Sequence, residues 1–172
     1  SAAAAEVAGA WGVGIRARVV AAVCAAAVLW CGAASCAVWP NGLCYVNRFW
    51  GDPAEGDRLV SDSNWDWGQG LKELVRWQKR QGAGPLDVCY WGGESGVAPP
   101  LRPIYLQNLP VTTPEEVAFY LRGRRLAVST TMVHGCLLNG APPAAAVVQR
   151  FLQSRRPVAR TTTYYIYDFT RE

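Results

Sequence analysis

The sequence predicts an α/β protein: one N-terminal transmembrane helix, then a small α/β sandwich of about four mostly parallel strands and three helices. Two observations carry this. Val19 to Trp39 is an uncharged apolar run of 21 residues, the length a helix needs to cross a bilayer core of about 30 Å. Beyond it, β-branched and aromatic runs alternate with segments of helical period, separated by Gly and Pro. That order builds an α/β sheet.

Three organisational segments follow: residues 1–18 as a cytoplasmic or loop segment, 19–39 as the transmembrane helix, and 40–172 as the α/β domain. Arg16 and Arg18 precede the apolar run, and no Lys or Arg follows it until Arg48. The positive-inside bias then puts residue 1 in the cytoplasm and residues 40–172 outside it. Trp39 and Trp50 suit the outer interface, and Pro40 suits a stop. The run is Ala-rich with one Leu, so helical neighbours would aid its insertion. Two rival readings are a signal peptide cut near Ser35-Cys36-Ala37 and a buried helix of a soluble protein. Ser1 in place of Met fits a piece of something longer.

In the domain, residues 58–62 (RLVSD) read as a short strand. Leu71, Leu74, Val75 and Gln78 recur at helical spacing, and the Gly82 to Pro85 punctuation ends that helix. Leu86 to Trp91 reads as a buried strand, and residues 92–112 as a long Gly- and Pro-rich connection. Thr113-Pro114-Glu115-Glu116 is a capping box with Pro in the first turn, the start of a helix to about Arg122. Leu126 to Met132 is a third strand. Pro142 and Pro143 start a helix carrying Val147, Val148, Phe151 and Leu152. Thr161 to Phe169 closes the chain as a strand able to lie antiparallel at an edge.

An apolar fraction of 51% supports a packed core. The net charge of +4 is mild, and no basic stripe interleaves with aromatics, so no nucleic-acid partner is expected. Arg122, Arg124, Arg125, Arg155 and Arg156 read as solvated surface, with lipid phosphate as the alternative. Six cysteines without a CxxC pair, beside the lone His134, predict no zinc site. A Cys89–Cys136 disulfide is left open.

Residues 61–71 (SDSNWDWGQGL) are where chemistry could lie. Asp62, Ser63, Asn64, Asp66 and Gln69 fall between a predicted strand and helix, with Trp65 and Trp67 interleaved. Ligands of α/β folds bind in such loops. Short acids and amides bond sugar hydroxyls, and indole faces pack on sugar C–H groups. The expected substrate-binding set is therefore Asp62, Ser63, Asn64, Asp66, Trp67 and Gln69. The sober alternative is a capping loop with its indoles in the core. A calcium loop would use Asp62, Asn64, Asp66 and Glu73, but Trp67 occupies the position that needs Gly. No metal or cofactor is expected. His134 has no evident partner, and Asp87 and Glu94 could pair with Asp62 only by coincidence of folding, so no catalytic residue is assigned.

At this loop the chain resembles a known family. Residues 43–74 (LCYVNRFWGDPAEGDRLVSDSNWDWGQGLKEL) are similar to a signature of large bacterial multi-pass glycosyltransferases, relatives of the protein O-mannosyltransferases and the lipid A aminoarabinose transferase. Tyr45, Asn47, Gly51, Pro53, Gly56 and Arg58 match its lead-in. Asp62, Ser63, Asn64, Asp66, Trp67, Gly68, Gln69 and Leu71 match its core. Residues 86–92 (LDVCYWG), 124–135 (RRLAVSTTMVHG) and 156–169 (RPVARTTTYYIYDF) look similar too. Gly70 departs from the pattern, standing where Asp is usual, as does Asp52 in place of a second Gly. The resemblance implies inverting sugar transfer outside the cytoplasm, from a polyprenyl-phosphate sugar donor to a glycan, lipid or protein acceptor. The family's catalytic acid lies on an early extracytoplasmic loop with no counterpart here. The chain would then be a trailing membrane-bound portion without the catalytic loop. A membrane-tethered carbohydrate-binding or interaction module without enzymatic activity is the alternative.

Overall fold

A computed structural model describes residues 2–37, 39, 42–46, 48–50, 53–60, 65–90, 99–136 and 143–171, of which 2–13, 48, 53, 54, 135 and 136 by backbone alone. The chain divides into two compact units, Ser1–Gly42 and Leu43–Glu172.

The first unit is a single helix, α1 (Ala2–Ala37). Its stretch Gly14–Ala37, 24 residues, is long and apolar enough to cross a membrane, with Val19, Val23, Leu29 and Trp30 all exposed. At 1.5 Å per residue it measures about 36 Å. The helix does not begin at Val19 as the charge boundary suggests. Residues 2–10 are mostly Ala, the strongest helix former, and carry the helix back through Arg16 and Arg18. Long Arg side chains at a membrane edge can reach back to water.

The second unit is the α/β lobe. Three short 3-10 turns, Gly42–Cys44, Arg48–Trp50 and Pro53–Arg58, lead into it. Then come α2 (Leu71–Arg80), β1 (Leu86–Cys89), β2 (Leu101–Pro103), α3 (Pro114–Leu121), β3 (Arg125–Ser129), α4 (Pro143–Ser154), β4 (Ala159–Arg160) and β5 (Tyr164–Asp168). The five-stranded sheet has the order β2-β1-β3-β5-β4. β1 pairs parallel with β2 and β3, while β5 pairs antiparallel with β3 and β4.

Side chains alternate across the sheet, as the period of a strand requires. Leu126, Val128, Tyr165 and Tyr167 join the core with Val117 and Leu121 of α3 and Val148 and Leu152 of α4. Ala127, Tyr164 and Ile166 join Leu71 and Leu74 of α2 on the other face. Helices thus cover both faces.

The predicted α/β class holds, but the sheet has five strands rather than about four, and it is mixed rather than mostly parallel, with two parallel and two antiparallel pairings. The strand read at residues 58–62 is absent among its described residues: Leu59 and Val60 N–H both bond Gly56 O, which curls the chain. β2 lies inside the connection read as a loop; three residues ending in Pro give too short a signal. β3 ends at Ser129 rather than Met132, and a π-helical turn, Met132–Cys136, follows. Gln149 and Gln153 hold that turn by donating to Val133 O at 2.8 and 2.9 Å. The closing strand is a hairpin, and β4 forms the edge. The capping box at α3 forms as expected: Thr113 Oγ1 accepts from Glu116 N–H and Glu116 Oε2 from Thr113 N–H. Cys89 is a buried free thiol.

Candidate functional site

The turn 65–70 sits at the carboxyl ends of the parallel strands β1 and β3, the edge where α/β sheets hold ligands. Asp66 anchors it. Asp66 is completely buried. Its Oδ2 accepts from Ser129 Oγ at 2.5 Å and its Oδ1 from Gly68 N–H at 2.8 Å. The second bond closes a tight turn that Gly68 completes at φ +87, a conformation costly for other residues. Burial raises the Asp66 carboxyl above its ordinary pKa, against the opposing pull of the Ser129 and Gly68 bonds.

Gln69 braces the same turn. Its Oε1 accepts from Trp67 N–H at 2.6 Å and its Nε2 donates to Trp65 O at 2.8 Å. Cys44 donates to the same carbonyl at 3.2 Å, and burial, aided by the Asp66 charge, pushes its thiol up to about 12. The Trp65 ring is buried with Cys44 and Val46, and Gly56 lies flat on it, leaving no room for a Cβ. Gly70 is equally confined: a Cβ there would stand 1.9 Å from Thr163 Oγ1. Trp67 is different, for its side chain is 59% exposed.

The candidate ligand set therefore divides. Asp66 and Gln69 spend their polar atoms on the turn, and Trp67 presents its indole to solvent. Asp62, Ser63 and Asn64 lie outside the described residues. Glu73, weighed as a calcium ligand, accepts from Thr162 N–H and Oγ1 at 3.3 and 3.2 Å. Asp87, weighed as an acid partner, is held near the start of β1 by Arg102 and Arg124 at 2.8 and 3.0 Å. That is the opposite end of the strand from the turn.

A second constellation flanks the first and was not foreseen. Asp57, in the last 3-10 turn before the loop, is fully buried. Arg160 Nη2 donates to its Oδ1 at 2.6 Å, and Tyr165 OH donates to its Oδ2. His134 Nε2 lies 3.4 Å from Oδ2 and 3.2 Å from Tyr165 OH. Burial alone would raise the Asp57 pKa; the His134, Tyr165 and Arg160 bonds overcome it and hold the group at about 2. Burial, then the Asp57 bond and charge, pushes Tyr165 up to about 12. The cluster is thus a fixed carboxylate and a fixed hydroxyl donor backing a partly exposed imidazole, which could orient that ring for proton exchange. His134 is not solitary after all. No spacing rule joins positions 57, 134, 160 and 165, because each lies on a different element.

Four further polar atoms belong to this end of the lobe. Trp65 Nε1, Thr130 Oγ1, Thr163 Oγ1 and Tyr164 OH are buried without a hydrogen-bond partner among the described residues. Groups of this kind are few in native proteins. The Asp66 charge adds to burial in raising Tyr164. Among the described residues, no group of three or more His, Cys, Asp or Glu side chains is placed to hold a metal ion. No family model, curated protein or solved structure matches the chain.

Proposed function

We propose that the chain is the membrane-bound trailing portion of a glycosyltransferase that uses a polyprenyl-phosphate sugar donor. Its lobe would lie outside the cytoplasm and recognise the sugar, while another segment supplies the catalytic acid. One observation carries the reading: a turn braced by Asp66, Ser129 and Gln69 presents Trp67, an exposed indole, at the carboxyl edge of the sheet. Aromatic faces exposed on a rigid turn suit sugar C–H surfaces. Residues 62–64, with the short polar side chains of the signature, adjoin that turn in sequence. The Arg16 and Arg18 asymmetry supports the sidedness.

The chain in nanodiscs should bind a polyprenyl-phosphate hexose saturably, and Trp67→Ala should weaken binding at least about tenfold. Equal binding by wild type and variant would remove the sugar-recognition role. The carbohydrate-module alternative also draws on the exposed Trp67. It predicts that free oligosaccharide binds as tightly as the lipid-linked sugar, which the transferase reading does not. Protease protection of the lobe in sealed, cytoplasm-inside vesicles tests the sidedness; cleavage only after the vesicles are opened would refute it.

A further inference from the structure

We infer that Leu43, Tyr45, Phe49, Trp50, Leu59 and Val60 form a lipid-docking surface that seats the lobe on the bilayer. This rests on the reading that α1 crosses the membrane. The lead-in turns have a miniature core of their own, Cys44, Val46 and Trp65, separate from the two large clusters of the sheet. Gly56 packs onto Val46 and Trp65 and draws the Pro53–Arg58 turn into the same module.

Around that small interior the apolar residues point the wrong way for water. Leu43 and Tyr45 are exposed while Cys44 and Val46, which alternate with them, are buried, so the strip is apolar on both sides. Phe49 is 91% exposed and Trp50 75%. Leu59 and Val60 follow at the curled end of the last turn. Soluble surfaces scatter such residues singly; a concentration marks an interaction face.

The occupant follows from the tether and from charge. Ala37 ends α1, and Leu43 comes six residues later. An extended chain of that length spans at most about 20 Å, so the linker sets an upper limit on how far the strip can lie from the end of a spanning helix. Tyr and Trp favour the headgroup level, with Phe and Leu entering the acyl boundary. Residues 43–60 carry two cations, Arg48 and Arg58, against three acids, Asp52, Glu55 and Asp57. This balance gives no attraction to anionic lipid, so the contact is apolar.

The full chain in phosphatidylcholine vesicles, carrying the photocrosslinker p-benzoylphenylalanine in place of Phe49, tests this. The control places it at Phe119, which is 76% exposed on α3. Lipid adducts at position 49, several-fold above position 119 and undiminished by high salt, are expected. Adducts with protein alone, equal yields at the two positions, or a requirement for anionic lipid would overturn the inference. Extraction in alkaline carbonate separates the readings. A chain that stays with the membrane yet gives no lipid adduct at 49 refutes the docking surface alone, whereas release into the supernatant refutes the spanning helix and the docking with it.

Discussion

Arg160 Nη2 meets Asp57 Oδ1 at 2.6 Å across 103 positions of sequence. This contact ties the hairpin of β4 and β5 to the turn that leads into the candidate site, and the guanidinium also covers the Tyr165 ring at 5.4 Å. Removing the cation leaves a carboxylate with no exposure to water. Arg160→Met should therefore cost about 3–5 kcal/mol, read as a lower urea midpoint at unchanged slope. Adding Asp57→Asn should restore much of the loss. Additive costs in the double variant would mean that the pair is not coupled.

The two buried acids respond to pH with opposite sign. Asp57 has its folded pKa depressed to about 2. Its stabilisation is complete above the ordinary carboxylate range, near 3.8, and disappears as pH falls through about 2. Asp66 has its folded pKa raised, so its contribution is complete below the unfolded value and shrinks as pH rises through the folded one. Asp66→Asn keeps an acceptor for Gly68 N–H without burying a charge. Its stability relative to wild type should increase from acid to neutral pH. A wild-type advantage that grows over the same range would show that the charge itself stabilises the turn.

Gly70 and Thr163 should behave as a unit. A methyl at position 70 collides with Thr163 Oγ1, and overpacking of this kind costs about 1–3 kcal/mol. Thr163→Ala alone should be nearly neutral, because that hydroxyl has no partner among the described residues. Gly70→Ala with Thr163→Ala should recover most of the loss, and a double-mutant cycle measures it.

Asp87 should tolerate the loss of one arginine but not of both. Arg102→Ala and Arg124→Ala each leave the other cation in contact with the carboxylate, and each should cost about 1 kcal/mol. Together they strand a buried charge, and the loss should exceed the sum. Thermal unfolding of the three variants provides the comparison. Strict additivity would contradict it.

Much of the lobe was legible from local signals. The Thr113–Glu116 capping box, the helical spacing from Leu71 to Gln78 and the aromatic run of β5 each specify an element within a few residues. What escaped depends on distant partners. Leu59 and Val60 have strand-forming side chains, but Gly56 O captures their N–H groups. At the site, residue types single out the 61–71 loop but cannot tell scaffold from surface. Asp66 looks like a ligand group until Ser129, 63 positions on, takes its carboxylate. Asp57 gave no signal at all, since its meaning lies in His134, Arg160 and Tyr165.

Because Asp57 waits for Arg160 and Tyr165, the start of the lobe cannot mature until its far hairpin has been made. A ribosome moving from one to the other adds about a hundred residues, at roughly 5–20 per second. During those seconds the Pro53–Arg58 turn has its carboxylate but not its clasp. A copy stopped short of Arg160 would never acquire it, which makes assembly of this corner a built-in proof that the intervening chain has been completed.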